Sequence, residues 1–171
     1  MTIVSATATA SGSDPCPWLV AGTEMPLVVL TCHLLNETVI HGYDIARATR
    51  TPWEVDRRDA SLILYGFLLP LFQVLGPAMV DQGKAAGLRA AFEVRLRGGR
   101  SFVLVFEGGS VTVEEPSARQ VDCHLWVDPA AFLLVGWGRI SQWRAIPKGQ
   151  LLPWGRRPWL SLRLRGLLRN P

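Results

Sequence analysis

Glu37 and His41 stand four residues apart in the run Glu37-Thr-Val-Ile-His41. On a helix that spacing sets one side chain above the other, about 6 Å apart along the axis, so a carboxylate and an imidazole can reach one metal ion. On a helical wheel both fall in a stripe with Leu30, Leu34, Ile45 and Ala48, where an unpaired carboxylate costs several kcal/mol. Asp44 lies on the adjacent edge, placed to orient a metal ligand as an outer partner or to pair with Arg47. His33 extends the row, but three ligands over eight residues stretch across about 12 Å of axis, so His33 reads as a bystander. The competing reading is a helical acid–imidazole pair on a solvated face, worth a few tenths of a kcal/mol.

A second candidate region lies toward the C-terminus. Phe132, Leu133, Leu134, Trp137, Ile140, Trp143 and Ile146 make a bulky apolar run near a helix-to-helix bend, and Trp154, Trp159 and Leu160 can wall the same space. Convergent aromatics line a ligand pocket or simply pack a core. His124 and Asp122 share one strand face and read as a surface pair. No glycine-rich phosphate loop precedes a helix, and Ser141 and Ser161 lack the context of a nucleophile elbow.

The chain that positions these residues has 171 residues, is 49% hydrophobic and only 19% charged, and carries a net charge of +4. That is enough apolar material for a real core. The positive excess is local, at Arg156, Arg157, Arg163, Arg165 and Arg169. No nucleic-acid-binding motif accompanies it, so a solvated basic face is expected and nucleic acid is not. Three cysteines without CxxC spacing point to a reducing, cytoplasmic setting and to neither a disulfide framework nor a zinc ribbon. Ala60–Val80 has no charged residue, long enough to span a bilayer, but Pro70, Pro77, Gly66 and Gly76 interrupt it. A kinked helix buried in protein is expected there rather than a stable membrane span.

In chain order, residues 1–22 read as a disordered lead-in. Residues 23–83 read as a helical hairpin: one helix over Thr23–Thr49, stopped by Thr51-Pro52, and a second capped by Asp56 that runs to Leu69 and kinks or breaks at Pro70. Two helices cannot close a bundle core alone. From residue 84 the pattern changes to period two: Phe92, Val94 and Leu96, then Phe102, Leu104 and Phe106, then Val111 and Val113 across a Gly108-Gly109 turn, then Val121–Val127. Asp128-Pro129 opens a helix, and Gly138-Arg139 breaks it. Gln150–Pro153 is a short extended run before a last helix opened by Pro158. The expected class is α+β, with four meandering strands and helices on one face of the sheet.

The segment Glu37-Thr-Val-Ile-His41-Gly-Tyr-Asp44 resembles the metal-site helix of DinB-like proteins related to mycothiol-dependent maleylpyruvate isomerase. That resemblance implies part of a four-helix bundle holding a divalent metal, usually zinc, through Glu37, His41 and a histidine of an earlier helix that this chain lacks. It also implies a mycothiol-conjugated substrate. The strands over 92–127, the Asp128-Pro129 start and the turns at Lys148-Gly149 and Trp154-Gly155 resemble the sterol-carrier-protein domain that often follows in such relatives. For residues 84–171 this implies a curved antiparallel sheet with helices enclosing an apolar cavity for a lipid, acyl chain or sterol; the apolar run read above supplies Phe132, Leu133, Trp137, Ile140, Trp143, Trp154 and Trp159 as its candidate wall.

Two functions are therefore expected to compete. One is a non-catalytic binding protein or scaffold whose partner is an apolar small molecule or acyl chain. The other is a metal- and thiol-dependent isomerase or transferase using Glu37 and His41. The missing third ligand favours the first. An unpartnered apolar hairpin also predicts a homodimer, or a partner chain that supplies the missing helices.

Overall fold

The computed structural model describes residues 11–18 and 22–169. Five strands form the main sheet: β3 (Ala90–Leu96), β4 (Ser101–Glu107), β5 (Ser110–Glu114), β6 (Cys123–Val127) and β7 (Leu151–Trp154), in the order β5-β4-β3-β6-β7. Alternation along the strands divides their side chains between two faces. Phe92, Val94, Leu96, Phe102, Leu104, Phe106, Val111, Leu125, Val127 and Leu151 belong to the main core. Ala91, Val103 and Val105 form a small cluster on the opposite face. The β4–β5 hairpin turns at Gly108 and Gly109, both at positive φ (59° and 74°), the geometry of a two-residue hairpin turn.

The sheet is not a four-strand meander. β6 lies beside β3 and parallel to it, with Val94 opposite Leu125, and β7 is a fifth strand antiparallel to β6. The segment after β5 therefore crosses to the far side of β3 instead of turning back. The extended run expected at Gln150–Pro153 is the β7 edge.

Helix α1 (Leu27–Thr49) starts after Pro26 and ends at Arg50, which adopts a left-handed conformation (φ 58°). Its buried residues are Val29, Asn36, Val39, Ile40 and Ala46. The stripe expected to be buried faces outward: Leu34 is 59% and Ile45 64% exposed. With apolar residues nearly all round, the wheel could not select the covered side. Packing on the next helix, α2 (Arg57–Leu75), selects it. A short ladder, β1 (Pro15–Pro17) with β2 (Glu24–Pro26), precedes α1. The stretch expected to be structureless thus contains a strand; the expectation for residues 1–10 and 19–21 lies outside the described residues.

Helix α2 (Arg57–Leu75) is long and apolar enough, by length and composition, to cross a membrane. Here Ala60, Ile63, Leu64, Phe67, Leu69, Leu71 and Phe72 pack into the core. Asp56 caps it, accepting from the Arg58 and Asp59 amides. It does not break at Pro70. The turn Leu64–Leu68 widens to a π-helix, and the helix continues to Leu75. Proline at 70 has no N–H for the carbonyl four residues back and would crowd it; a wider turn just upstream relieves both defects. Where α1 crosses this turn, Gly66 lies against Cys32, and a methyl at Gly66 would overlap the cysteine sulfur.

The remaining helices are short: α3 (Gln82–Ala85), α4 (Pro129–Gly136), α5 (Gln142–Ala145) and α6 (Ser161–Leu167), the last preceded by a 3-10 turn, Pro158–Leu160. α4 begins as expected, with Asp128 accepting from the Ala131 amide and Pro129 at the first position. Gly138, at φ 71°, stops it, with the Arg139 amide donating back to Leu134. The C-terminal end is tied to the segment after α2: Asp81 N–H donates to Leu167 and Arg169 N–H to Met79, each at 2.9 Å.

Candidate functional site: an apolar cavity beneath the helices

An apolar cavity of about 80 Å³ lies between the core face of the sheet and the helices. The sheet contributes Phe102, Leu104, Leu125 and Leu151. Leu64, Leu68, Leu69 and Phe72 of α2 form the roof, and Phe132, Leu133, Val135 and Gly136 of α4 form one side. Met79, Leu164 and Leu168 close it, and the polar groups on the lining are Trp137, Gln142, Ser161, Arg165 and Arg169. Among the described residues, the lining contains no Asp, Glu, His or Cys. Arg165 is fixed by donating to the carbonyls of Val135 (3.1 Å) and Leu168 (3.4 Å). The wall is thus nearly all hydrocarbon, with two guanidinium side chains beside it.

Of the seven residues expected to wall an apolar space, Phe132, Leu133 and Trp137 line this cavity. Ile140 packs against the core outside the lining. Trp143 and Trp159 are 63% and 60% exposed. Trp154 sits on the opposite face of the sheet. Strand parity decides this: Leu151 points into the core, so Leu152 and Trp154 point away. The residues of α2 and β4 that supply the roof and floor were missed, because only the sheet register and the helix crossing bring them over α4.

That opposite face carries a polar cluster. His124 Nδ1 lies 2.6 Å from a Glu93 carboxylate oxygen, and Arg95 grips the same carboxylate through two nitrogens at 2.9 and 3.0 Å. The Trp154 ring stacks on His124 with 5.3 Å between centroids. The Arg95 hydrogen bond, followed by that of His124, holds the Glu93 carboxyl below the usual carboxylate range, against an opposing desolvation cost. His124 therefore pairs with Glu93 and not with Asp122, whose carboxylate accepts from the Ala91 amide at 3.1 Å. A group with a depressed folded pKa stabilises the fold above its unfolded value, about 4.3 for glutamate, and that contribution disappears as pH falls through the folded value. Glu93→Gln is expected to cost about 1 kcal/mol at pH 7 and progressively less below pH 4. Urea unfolding of both proteins at pH 3 and pH 7 measures this; an equal cost at both pH values would count against it.

Glu37 and His41 are on the outer side of α1, with side chains 44% and 65% exposed. They are not inside a buried stripe. The Glu37 carboxylate lies between two imidazoles, 3.2 Å from His41 and 3.4 Å from His33. His33 is thus a partner of the pair, stacked on Phe67 with 4.5 Å between centroids. Asp44 turns the other way and holds Arg139 through both oxygens, at 2.7–3.2 Å, and that guanidinium keeps the Asp44 carboxyl low. Arg47 instead donates to the Arg139 carbonyl. Among the described residues, no group of three or more His, Cys, Asp or Glu side chains is placed to hold a metal ion. A wide cleft along α1, bordered by His33, Asn36, Glu37 and His41, meets the apolar cavity at Met79, Trp137 and Arg169.

Residues 73–152 match the SCP-2 sterol transfer family. The match begins at Gln73, near the end of α2, so α1 and most of α2 lie outside it. Among solved structures, the chain is similar to the stereoselective inverting sec-alkylsulfatase Pisa1 from Pseudomonas sp., at 19% identity and a TM-score of 0.50, covering 58% of this chain and 16% of that one. It is also similar to sterol carrier protein 2 from Yarrowia lipolytica in its apo form (16% identity, 66% and 91% covered, TM-score 0.48). A third similar structure is the UbiJ-SCP2 ubiquinone synthesis protein (25% identity, 56% and 81% covered, TM-score 0.41). No curated protein matches the chain. The chain spans only 16% of the length of the alkylsulfatase, and at this identity the likeness is one of fold. Within the match lie β3–β6, α4 and α5; the α2 roof and the α6 side of the cavity lie outside it.

Proposed function

We propose that the chain is a lipid-binding carrier that holds an acyl-type chain in the cavity between α2, α4 and the sheet. The observation that carries this reading is the lining, hydrocarbon on nearly every side with Arg165 and Arg169 beside it. A hydrocarbon tail recovers about 0.8 kcal/mol for each methylene removed from water, and a guanidinium suits an anionic head by paired hydrogen bonds. The match of residues 73–152 to a sterol transfer family supports the same reading. Among the described residues, the lining offers no carboxylate, imidazole or thiol to act as base or nucleophile, which favours carriage over catalysis.

Size imposes a condition. Ligand sites usually enclose about 300–1,000 Å³, several times the 80 Å³ found here. The bound form must therefore be wider. Leu168 and Phe132 are placed to yield: Leu168 closes the cavity from a single bridge to Val80, and Phe132 is only partly buried. Titration with the fluorescent fatty acid cis-parinaric acid tests the proposal. Saturable binding with one ligand per chain, displaced by palmitate, is expected; fluorescence that rises without saturation, or that palmitate does not displace, would refute it.

A further inference from the structure

The charge of this protein is divided along the chain. From Pro129 to the C-terminus there are eight Lys and Arg residues and no Asp or Glu. Residues 1–128 hold the other ten basic residues and all fourteen acidic ones. The whole positive excess thus belongs to the last quarter of the sequence, and that quarter folds beside the cavity, since Trp137, Gln142, Ser161, Leu164 and Arg165 all line it.

The same segment exposes three large apolar side chains close in sequence to its cations. Trp143 on α5 is 63% exposed, Trp159 is 60% exposed and Leu162 on α6 is 38% exposed. The short helical segments that carry them are joined. The Gln142 side chain donates to the Leu162 carbonyl at 3.0 Å, which joins α5 to α6, and Trp159 precedes Leu162 by three residues. Arg144 and Arg163 flank them, both exposed. Arg163 reaches only the Lys84 carbonyl, and among the described residues no carboxylate pairs with Arg144 or Arg163. Tryptophan with its neighbouring cations at one surface is the composition that settles at the boundary between lipid headgroups and hydrocarbon, with basic side chains drawn to anionic headgroups.

We infer that the α5–α6 face is a docking surface for an anionic lipid bilayer, with Trp143, Trp159 and Leu162 entering the headgroup boundary and Arg144 and Arg163 meeting anionic headgroups. Charge complementarity selects this occupant. The face offers two cations with no carboxylate partner among the described residues and two exposed indoles, while Asp81 close by is held by Lys84 at 3.0 Å. Its position beside the cavity gives an apolar ligand a short path between bilayer and protein. The inference goes beyond ligand binding and stands without it, because docking on a membrane requires no occupied cavity.

The test is co-sedimentation with vesicles of phosphatidylcholine alone and with 30% phosphatidylglycerol, at about 50 and 500 mM salt. Retention on the anionic vesicles only, weakening with salt, is expected. Arg144→Gln with Arg163→Gln removes two surface cations, each worth about fivefold, so retention should fall about 30-fold. Trp143→Ser with Trp159→Ser should weaken retention and also remove the blue shift in tryptophan emission on vesicle addition. All four positions are exposed, so thermal unfolding and cis-parinaric acid binding serve as controls that both pairs should leave unchanged. Equal retention on neutral and anionic vesicles, no retention on either, or wild-type retention of both variant pairs would overturn the proposal. So would retention by duplex DNA in place of vesicles, which would make the face a polyanion site. Failure of fatty acid binding with vesicle binding intact would sink the carrier reading alone.

Discussion

Asp128→Ala is expected to lower the free energy of unfolding by about 2–3 kcal/mol, and the thermal midpoint by about 4–12 °C. The side chain is buried and serves two elements at once. One oxygen accepts from the Ala131 amide and caps α4; the other accepts from Arg57 Nε at 2.6 Å, at the first residue of α2. Cap loss contributes about 1 kcal/mol. The rest comes from the ion pair, discounted because the Arg57 side chain is 59% exposed and screened by solvent. Asp128→Asn keeps an acceptor for the cap and should cost about half as much. Arg57→Ala should cost less than Asp128→Ala, and the double variant less than the sum of the two. Urea unfolding of the four proteins gives the coupling directly; additive costs would show that the two residues act independently.

Gly136→Trp should weaken fatty acid binding by at least a hundredfold, about 2.7 kcal/mol, while leaving the fold intact. Gly136 is the last residue of α4 and part of the cavity lining. A Cβ built there meets nothing within 4 Å, so the first atom of a side chain is accommodated without a clash. An indole is larger than the space the cavity leaves beside Gly136, so it should compete with an acyl chain for the same wall. Gly136→Ser, at the same open position, adds too little to block entry and should bind as the parent does. Titration of both variants with cis-parinaric acid, beside their thermal midpoints, makes the comparison. Unimpaired binding by a folded Gly136→Trp protein would place the ligand elsewhere.

Much of the sheet-bearing half was legible, because its signals are local. Alternation at Phe92, Val94 and Leu96, glycine pairs at the turns and Asp128 before Pro129 each act over a few residues, and each appears in the structure as expected. What was not legible depends on neighbours far along the chain. β6 pairs with β3 in parallel register, and nothing in either strand's own sequence chooses that partner over a hairpin. That register is also what sets His124 beside Glu93, so the buried cluster could not be read from Asp122 and His124 alone. Helix α1 was misjudged for a related reason: Leu34 and Ile45 are as apolar as Val39 and Ile40, and only the position of α2 decides which pair is covered. Trp154 failed on parity, since a strand residue adjacent to an inward Leu151 register faces out or in by counting alone, once the strand is known to exist. At Pro70, the local rule for proline was right about the missing hydrogen bond and wrong about the outcome, because a π turn upstream absorbed it.

The central claim is that an acyl chain lies in the cavity beneath α2 and α4, and not in the cleft along α1. The most direct measurement is methyl NMR of the protein labelled at Met, Leu and Ile, titrated with palmitate. Palmitate in the cavity should give saturable shifts at one equivalent for Leu64, Leu104, Leu125 and Leu133, with Leu34 and Ile40 unmoved. Shifts confined to Leu34 and Ile40, or none at any methyl, would contradict it.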